Sequence, residues 1–270
     1  MAPNLEVVIV SYNTRAQTLA CLESLFAAPP AGLGRVFVVD NGSADGSVEA
    51  IRRTWPAVEV FAQDVNIGFG AANNVAMRQA SAALVLLLNS DTIVPAGALD
   101  TLVARLEATG AVAAGPRLVD GHGRPEVSFG PMLSPLAELT QRVRVRLSGR
   151  SNAWARRYID RLVSEERDVD WVSGACLLVR RGPAVAAGLF DERYFLYEED
   201  VDFCAALRAR GGRVLFTPRS EVVHLRGRSQ GSGAGASHYD RSHVAFYEKH
   251  LPGWAPWLRL SLRMRGRSIR

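Results

Sequence analysis

The stretch ALVLLLNSD, residues 83–91, decides the fold that this sequence predicts. Every side chain in it is apolar until Asn89, where the polar residues Ser90 and Asp91 follow. A strand that is apolar on both sides has to be covered on both faces, which is typical of a parallel sheet between two layers of helices. The run is too short for a membrane-spanning helix, which needs about 20 residues, and its length fits a strand. We therefore predict a buried central strand that ends in polar residues.

The chain before this strand alternates between strand and helix patterns. β-branched runs predict strands, and apolar residues at helical spacing predict helices. The predicted strands are EVVIVSYN (6–13), RVFVVDNGSADGS (35–47, broken by turn residues) and VEVFAQD (58–64), and the predicted helices are residues 15–28, 48–55 and about 70–80. This alternation indicates an α/β fold with a mostly parallel sheet.

Polar side chains follow three of these strands at the point where each strand ends. They are Ser11-Tyr12-Asn13, Asp40-Asn41-Gly42-Ser43 and Asn89-Ser90-Asp91. Ligands of parallel sheets bind outside the carboxyl ends of the strands. A turn explains any one of these groups taken alone, since the same residue types dominate turns. Three such strand ends in succession favour a polar ligand at one edge of the sheet.

The second half of the chain is less regular. Residues 115–170 contain Gly- and Pro-rich loops and two arginine-rich amphipathic helices, LAELTQRVRVRLSGR (136–150) and NAWARRYIDRLVSEE (152–166). Their arginines form either a solvated face or a surface on the acceptor side of a phosphate- or lipid-binding protein. The remaining predicted elements are a strand at 169–181, a helix and turn at 182–191, strands at 212–218 and 221–229, and a flexible Gly/Ser loop at 231–237.

Composition limits the class of protein. The 270 residues are 48% hydrophobic and 22% charged, which is ordinary for a globular protein, and the net charge of +5 comes almost wholly from arginine. We expect no secretory signal, no membrane span and no nucleic-acid partner, and we expect three reduced, buried cysteines (Cys21, Cys176 and Cys204) in a cytoplasmic protein. The Trp- and Arg-rich tail at 251–270 fits either a docked helix or a segment at a membrane surface.

Several enzyme classes lose support because their motifs are absent or misplaced. GFGAAN (68–73) begins like a dinucleotide-binding fingerprint but ends in Asn73 and does not follow a strand directly. The sequence contains no GxSxG, GxxxxGK[ST] or HExxH motif. An NAD(P)-dependent oxidoreductase is therefore a weak alternative.

The stretch RYFLYEEDVDFCAALRARGG, residues 193–212, places four carboxylates within five positions, at Glu198, Glu199, Asp200 and Asp202. Acids in a first helical turn complement the helix dipole. Four of them in one turn repel one another unless a cation or a proton-transfer role holds them there.

Taken together, these motifs resemble the family 2 glycosyltransferases of GT-A fold, and among them the rhamnosyltransferase-like members. The matching pieces occur in the family's order. They are VVIVSYN (7–13), VVDNGSADGS (38–47), NIGFGAANN (66–74), LLLNSDT (86–92), SGACLLVRR (173–181), GLFDERYFLYEEDVDFCAALRARG (188–211) and VVHLRGRS (222–229).

The resemblance implies one Rossmann-like domain over residues 1–250, with a mostly parallel central sheet flanked by helices. Its nucleotide-sugar half would be about 1–115 and its acceptor half about 116–250, with the basic tail at 251–270. It further implies a dTDP- or UDP-sugar donor, with dTDP-rhamnose as the best candidate, and a divalent cation, Mg²⁺ or Mn²⁺. The acceptor would be a lipid-linked or cell-surface glycan, reached at the cytoplasmic face of the membrane by peripheral contact.

The resemblance also assigns roles to residues. Tyr12 would stack on the nucleotide base and Asp40 would accept a hydrogen bond from it. Asn89 replaces the first acid of the family's DxD motif, and Asp91 is expected to bind the metal together with His224. The full set expected at the nucleotide sugar is Ser11, Tyr12, Asn13, Asp40, Asn66, Gly68, Asn74, Asn89, Ser90 and Asp91. For Asn66 and Asn74, capping of the nearby helix is the competing explanation.

For the reaction, the resemblance assigns the base to Asp200, paired with Glu199, in an inverting single displacement. His224, Arg226 and Arg228 would neutralise the departing diphosphate. Tyr194, Tyr197 and Glu198 are candidates for contact with the acceptor. We expect one sugar per encounter, because the QxxRW motif and membrane helices of processive relatives are absent. A non-catalytic nucleotide-sugar-binding homologue is the main alternative, motivated by Asn89.

Overall fold

The structure is a computed structural model that describes residues 4–148, 153–225 and 234–267. The strands are β1 (Leu5–Ser11), β2 (Leu33–Asp40), β3 (Glu59–Ala62), β4 (Leu84–Asn89), β5 (Thr92–Ile93), β6 (Ala113–Val119), β7 (Phe129–Gly130), β8 (Arg167–Val169), β9 (Trp171–Val172), β10 (Cys176–Arg180) and β11 (Val214–His224). The helices are α1 (Arg15–Ala27), α2 (Ser47–Thr54), α3 (Phe69–Gln79), α4 (Ala98–Thr109), α5 (Pro135–Ser148), α6 (Ala153–Leu162), α7 (Arg181–Ala186), α8 (Glu199–Ala209), α9 (Ala234–His250) and α10 (Ala255–Met264).

One large sheet organises the chain, with the strand order β3-β2-β1-β4-β10-β6-β11-β5 and with β8 on β11. The strands β3, β2, β1 and β4 are parallel, and so are β6 and β11. The predicted α/β architecture is confirmed. The pattern did not predict that β10 would lie antiparallel between β4 and β6.

The uninterrupted apolar run of β4 has the structural cause that the sequence predicted. Leu84, Leu86 and Leu88 face a core shared with α1 and α4, whereas Val85 and Leu87 face a second core shared with α3 and α8. Successive side chains of a strand point to opposite faces, so a strand covered on both sides has no polar position. Burial on both faces therefore fixes β4 at the centre of the sheet.

Two predictions in the last third of the chain need correction. The segments predicted as separate strands at 212–218 and 221–229 share one strand, β11 (Val214–His224), whose pairing with β6 shifts register between Thr217 and Glu221; residues 226–229 of the second segment lie outside the described residues. The predicted Gly/Ser loop at 231–237 overlaps α9, which begins at Ala234. Both predictions relied on local composition. Composition carries no information about the neighbouring strand or helix against which a segment packs.

The last two helices form a separate apolar layer. α9 and α10 pack together through a cluster that includes Phe246, Tyr247 and Ala255, and this cluster also contains Tyr194 and, from α8, Val201. The C-terminal tail therefore contains a docked helix, one of the two arrangements expected for it. Among the described residues, no helix is both long enough and apolar enough to cross a bilayer.

Candidate active site

Three strand ends meet at one edge of the sheet, as the sequence predicted. Ser11 pairs with Asp40 at the ends of β1 and β2, and Val10 pairs with Asn89 at the end of β4. The Ser90 hydroxyl lies 2.9 Å from the Thr14 hydroxyl, which connects the end of β4 to the start of α1. The polar residues after these strands are therefore neighbours in space.

The loops after β1 and β2 hold each other in place. Asn13 has a left-handed backbone, with φ of 52°, and its Oδ1 accepts a 2.9 Å hydrogen bond from the Ala44 amide. The Asn13 amide in turn donates to the Ser43 hydroxyl at 2.8 Å. Tyr12, which immediately precedes Asn13, is 43% exposed. A fixed loop thus presents one accessible ring at the edge of the sheet.

Asp40 has one carboxylate oxygen engaged and one without a partner. Oδ1 accepts a 2.9 Å hydrogen bond from the Ser43 amide. Oδ2 is buried and has no hydrogen-bond partner among the described residues. A buried carboxylate oxygen without a donor is costly, so this atom offers an acceptor position for a ligand N–H group.

Four residues predicted to contact the nucleotide sugar also have contacts within the protein. The Ser11 hydroxyl is buried against Thr18 at 3.0 Å, and Asn74 bonds to the backbone of Phe190 through both ends of its side-chain amide. Asn66 accepts a hydrogen bond from the side-chain amide of Asn41. The Ser90 contact with Thr14 is likewise internal. These side chains help to fix the loops at this edge, and their contact with a nucleotide sugar stays a prediction.

Gly68 approaches the loop before α8 too closely for any side chain. Its φ is 91°, and an added Cβ would lie 2.6 Å from the Phe195 carbonyl oxygen. The next residue, Phe69, donates its amide to the same oxygen at 2.8 Å. Glycine at this position therefore brings the start of α3 against the segment that leads into α8.

A polar cluster forms where β4 and β11 end. Nε2 of His224 lies 3.3 Å from Asp91 Oδ1, and Nδ1 of His224 lies 3.2 Å from Glu126 Oε2. Burial lowers the pKa of His224, but hydrogen bonds and charge interactions with the two carboxylates outweigh it and raise the pKa to about 9. Glu126 was missed by the sequence reasoning, because it lies in a loop about 100 residues from its partner.

Asn89 adds an acceptor to this cluster. Its side-chain nitrogen lies 3.5 Å from Nε2 of His224, and its Oδ1 is buried without a partner among the described residues. No group of three or more His, Cys, Asp or Glu side chains in the described ranges is arranged to hold a metal ion. Arg226 and Arg228, predicted to face a diphosphate, lie outside the described residues.

Asp200 lies at the same edge of the sheet, in the first turn of α8. Its Oδ2 accepts a 2.9 Å hydrogen bond from the Gly174 amide, and the next residue, Ala175, accepts a 2.9 Å hydrogen bond from the Asn89 amide. One short loop therefore joins Asp200 to the end of β4.

The surroundings of Asp200 set its proton affinity. The helix N-terminus favours the ionised carboxylate. Desolvation by the packed protein raises its pKa to about 6, although hydrogen bonds from the backbone amides of Gly174 and Val201 oppose the shift. A carboxylate with such a pKa is ionised at neutral pH and still accepts a proton readily.

Glu199 differs from its neighbour. It is buried, its Oε2 has no hydrogen-bond partner among the described residues, and burial followed by the charge of Asp200 raises its pKa well above the usual range. Two adjacent carboxyl groups with different environments can take different protonation states. Asp200 is therefore the member of the pair suited to act as a base near neutral pH.

A turn with two left-handed residues leads into the Glu199–Asp200 pair. Tyr197 and Glu198 both have left-handed backbones, with φ of 71° and 66°, and Glu198 immediately precedes α8. Glu198 is buried, and its Oε1 lies 3.0 Å from Nδ1 of His243 on α9. Nε2 of the same ring lies 3.2 Å from Glu138 on α5. His243 and Glu138 were not predicted as relevant, because no motif connects them to the acidic stretch.

These contacts also revise the residues assigned to the acceptor. Tyr194 is fully buried and donates its hydroxyl to Asp202 at 3.2 Å, so it cannot form a wall of an acceptor site. Glu198 is held by His243 rather than directed to solvent. Tyr197 is partly exposed, and its ring contacts that of Tyr239. Tyr197 remains the candidate that a second substrate could reach.

Comparison with known proteins bears on this arrangement. A family model described as "Glycosyltransferase like family 2" matches residues 3–244. The chain is 31% identical to an N-acetylglucosaminyl-diphospho-decaprenol L-rhamnosyltransferase of Mycobacterium tuberculosis, over 97% of this chain and 90% of the relative. It is 26% identical to the O-antigen biosynthesis protein RfbC of Myxococcus xanthus, over 93% of this chain and 19% of that protein.

Solved structures share the fold. GalNAc-T7 with UDP, GalNAc and Mn²⁺ superposes with a TM-score of 0.66 at 17% identity, covering 92% of this chain and 48% of that one. The mannosyltransferase PcManGT of Pyrobaculum calidifontis, in complex with GDP-Man and Mn²⁺, gives a TM-score of 0.63 at 19% identity, covering 96% and 69%. At such identities the likeness concerns the fold.

Proposed function

This chain belongs to glycosyltransferase family 2, has the GT-A fold and is a glycosyltransferase; we propose that it transfers a single rhamnosyl unit from dTDP-rhamnose to a lipid-linked or cell-surface glycan. The transfer proceeds with inversion at the anomeric carbon. A UDP-sugar is the second candidate donor.

The position of Asp200 carries this proposal. The backbone amide of Gly174 fixes its carboxylate, and the next residue, Ala175, accepts a hydrogen bond from the backbone amide of Asn89. The proposed base and the strand ends on the donor side therefore share one edge of the sheet. Asp200 takes the proton of the acceptor hydroxyl, whose oxygen attacks the anomeric carbon opposite the leaving diphosphate. Glu199 stays protonated beside it, which avoids a second buried charge.

Tyr12 and Asp40 would bind the nucleotide base. The exposed Tyr12 ring offers a stacking face, and Asp40 Oδ2 offers the acceptor that a thymine or uracil ring N–H requires. Asn13 holds the loop between them by its bond to Ala44. This pair recognises a pyrimidine ring and does not distinguish thymine from uracil.

The donor diphosphate would lie at the cluster of Asn89, Asp91 and His224. Asp91 and the buried Asn89 oxygen that lacks a partner among the described residues are ligands of the kind that Mg²⁺ or Mn²⁺ prefers. Asp91 and His224 would hold the ion, and His224 would first have to lose the proton that its raised pKa keeps on the ring, since only a neutral imidazole binds a metal. When bound, the ion would stabilise the negative charge of the departing diphosphate. His224 contributes by its contacts with Asp91 and Glu126, which fix the ring at the strand end.

The name of the Mycobacterium tuberculosis relative supports the proposed donor and acceptor. That protein is called an L-rhamnosyltransferase, and its acceptor is named as a diphospho-decaprenol. A polyprenyl acceptor is confined to a membrane, so the proposed location is peripheral, at the cytoplasmic face.

The decisive experiment combines donor binding with transfer. Thermal shifts with dTDP-rhamnose, UDP-sugars and GDP-sugars, each with and without Mn²⁺, should show the largest stabilisation with dTDP-rhamnose. Transfer of rhamnose to a polyprenyl-diphosphate sugar is then measured for the wild type, for Asp200→Asn and for the exposed control Asp160→Asn. We expect Asp200→Asn to lose about 10³-fold or more in kcat, because it lacks the base, while retaining donor binding.

Two outcomes would count against the proposal. Near-wild-type transfer by a folded Asp200→Asn variant would remove Asp200 as the base. Binding of dTDP-rhamnose by the wild type without transfer to any lipid-linked acceptor would overturn rhamnosyl transfer as the function. The Asp160→Asn control should match the wild type in both assays, since this side chain is exposed on α6.

A further inference from the structure

Two helices expose apolar stripes that the folded chain leaves uncovered. On α5 the stripe is Leu136, Leu139 and Val143, and on α10 it is Trp257, Leu260 and Met264. Both stripes have the spacing i, i+3, i+7, which places their members on one face of each helix. These six side chains are between 48% and 76% exposed. Large apolar side chains gathered in this way mark an interaction surface.

The helices that carry the two stripes line one groove. A cavity of about 250 Å³ lies between α5, α9 and α10, and its lining includes Glu138 and Arg142 of α5, Trp254 just before α10, and Trp257 and Leu262 of α10. Trp257 belongs both to this lining and to the exposed stripe of α10. The stripes therefore lie on neighbouring helices, and together with the groove we call them the α5–α10 face.

Arginine dominates the charge of this face. On α5 and α10 the single acid among the described residues is Glu138, which is buried and paired with Arg142. Two acids of α9 lie beside them, Asp240 in the groove lining and Glu248, and they pair with Arg267 and Arg259. Arg146, Arg263 and Arg265 are exposed as well. Exposed arginine with tryptophan and leucine is the composition of helices that lie in the plane of an anionic membrane surface.

We propose that the α5–α10 face docks on an anionic phospholipid bilayer, with its apolar stripes at the level of the headgroups and its arginines on the lipid phosphates. The inference rests on the proposed function only in that a lipid-linked acceptor gives such docking a purpose. A second copy of this chain is a poorer occupant, because two arginine-rich faces would repel each other.

The docked face would be joined directly to the catalytic turn. Glu138, on the groove side of α5, contacts His243, and His243 contacts Glu198, which immediately precedes the Glu199–Asp200 pair. All three side chains are buried, so their contacts tie α5 and α9 to the turn. Docking through α5 and α10 thus fixes the position of Asp200 relative to the membrane surface where the acceptor lies.

Co-sedimentation of the full chain with vesicles tests the proposal. The vesicles contain either phosphatidylcholine alone or equal parts of phosphatidylcholine and phosphatidylglycerol. We expect binding to the anionic vesicles that weakens with salt. The variant Arg146→Gln/Arg263→Gln should bind about 30-fold more weakly, because each basic residue near such a surface contributes roughly fivefold. Trp257→Gln/Leu260→Gln should lose on the order of tenfold or more.

Matched controls carry the same changes elsewhere. Arg52→Gln/Arg53→Gln removes two exposed arginines from α2, and Val65→Gln removes an exposed apolar side chain. Both should bind vesicles as the wild type does. For every variant, the melting temperature and the thermal shift with dTDP-rhamnose report the fold and the donor site. A protein that binds vesicles through this face but binds no donor would overturn the proposed function alone.

Three results would overturn the docking proposal. They are no binding of the wild type to anionic vesicles, equal losses in the face variants and the control variants, and a solution dimer that dissociates when Trp257 and Leu260 are replaced. The last result would identify a second copy of this chain as the occupant.

Discussion

Two opposing effects set the pKa of Asp200, and their balance depends on the residues packed around it. Its place at the start of α8 and the amides of Gly174 and Val201 favour the charged carboxylate, whereas loss of solvent favours the neutral acid. The balance raises its pKa to about 6. The residue type and position were predictable from the acidic stretch, but the proton affinity was not.

This balance predicts the acid limb of the pH–rate profile. Transfer requires ionised Asp200, so kcat/KM should be constant above pH 7 and fall about tenfold per pH unit below pH 6. Initial rates measured from pH 4.5 to 8 at acceptor concentrations well below KM test this, with the melting temperature recorded at each pH to exclude unfolding. An acid limb near pH 4, the value of an exposed aspartate, would contradict the assignment.

At the scale of elements, the turn before α8 is held by a contact from α9. Glu198 adopts a left-handed backbone that costs about 1–3 kcal/mol in a residue other than glycine, and His243 fixes its side chain. Burial lowers the pKa of His243, but hydrogen bonds to Glu138 and Glu198 outweigh it and raise the pKa to about 9. The protonated ring therefore stabilises the turn between two carboxylates.

The pKa of His243 predicts how stability depends on pH. Its folded pKa of about 9 lies above the unfolded value of 6.5, so its contribution is complete below pH 6.5 and is lost as the pH rises through 9. By linkage this contribution is at most about 3 kcal/mol. Denaturant unfolding of the wild type and His243→Gln at pH 6 and pH 9.5 should show a difference in free energy that shrinks at the higher pH. A pH-independent difference would show that the ring is not protonated in the fold.

At the scale of the whole molecule, Gly68 joins the start of α3 to the segment that leads into α8. Its Cα lies so close to Phe195 that a methyl group would collide with backbone, and Phe69 bonds to the same carbonyl oxygen. The start of α3 and the turn before α8 are therefore packed against each other. We expect a change at Gly68 to displace both the proposed donor site and the proposed base.

Gly68→Ala and Gly97→Ala form a matched pair for this claim. Both glycines have positive φ, at 91° and 74°, but an added Cβ at Gly97 has nothing within 4 Å. Gly97→Ala should cost about 1 kcal/mol from backbone strain alone, whereas Gly68→Ala should cost on the order of 3 kcal/mol or more and reduce kcat. The free energies of unfolding and the transfer rates of the two variants decide this. Equal losses would show that Phe195 yields to the added methyl group.

The features that the sequence by itself determined are those with a local physical cause. Burial on both faces makes β4 apolar from Leu84 to Leu88, so its place in a sheet covered by helices and the polar residues at its end follow from residues 83–91, whereas its antiparallel neighbour β10 does not. The meeting of Ser11, Asp40 and Asn89 at one edge follows in turn, because parallel neighbours end at the same side. The resemblance of the motifs then pointed to family 2, which the comparisons confirm.

Only the tertiary structure decided the features that depend on residues distant in the chain. Asn74 and Tyr194 are polar or aromatic residues in matching motifs, yet Phe190 and Asp202 occupy their hydrogen-bonding groups. Glu126 reaches His224, and His243 reaches Glu198, across intervals that no periodicity records. The physical reason is that hydrogen bonding and desolvation depend on what lies within a few ångströms in space, and the folded chain alone sets those distances.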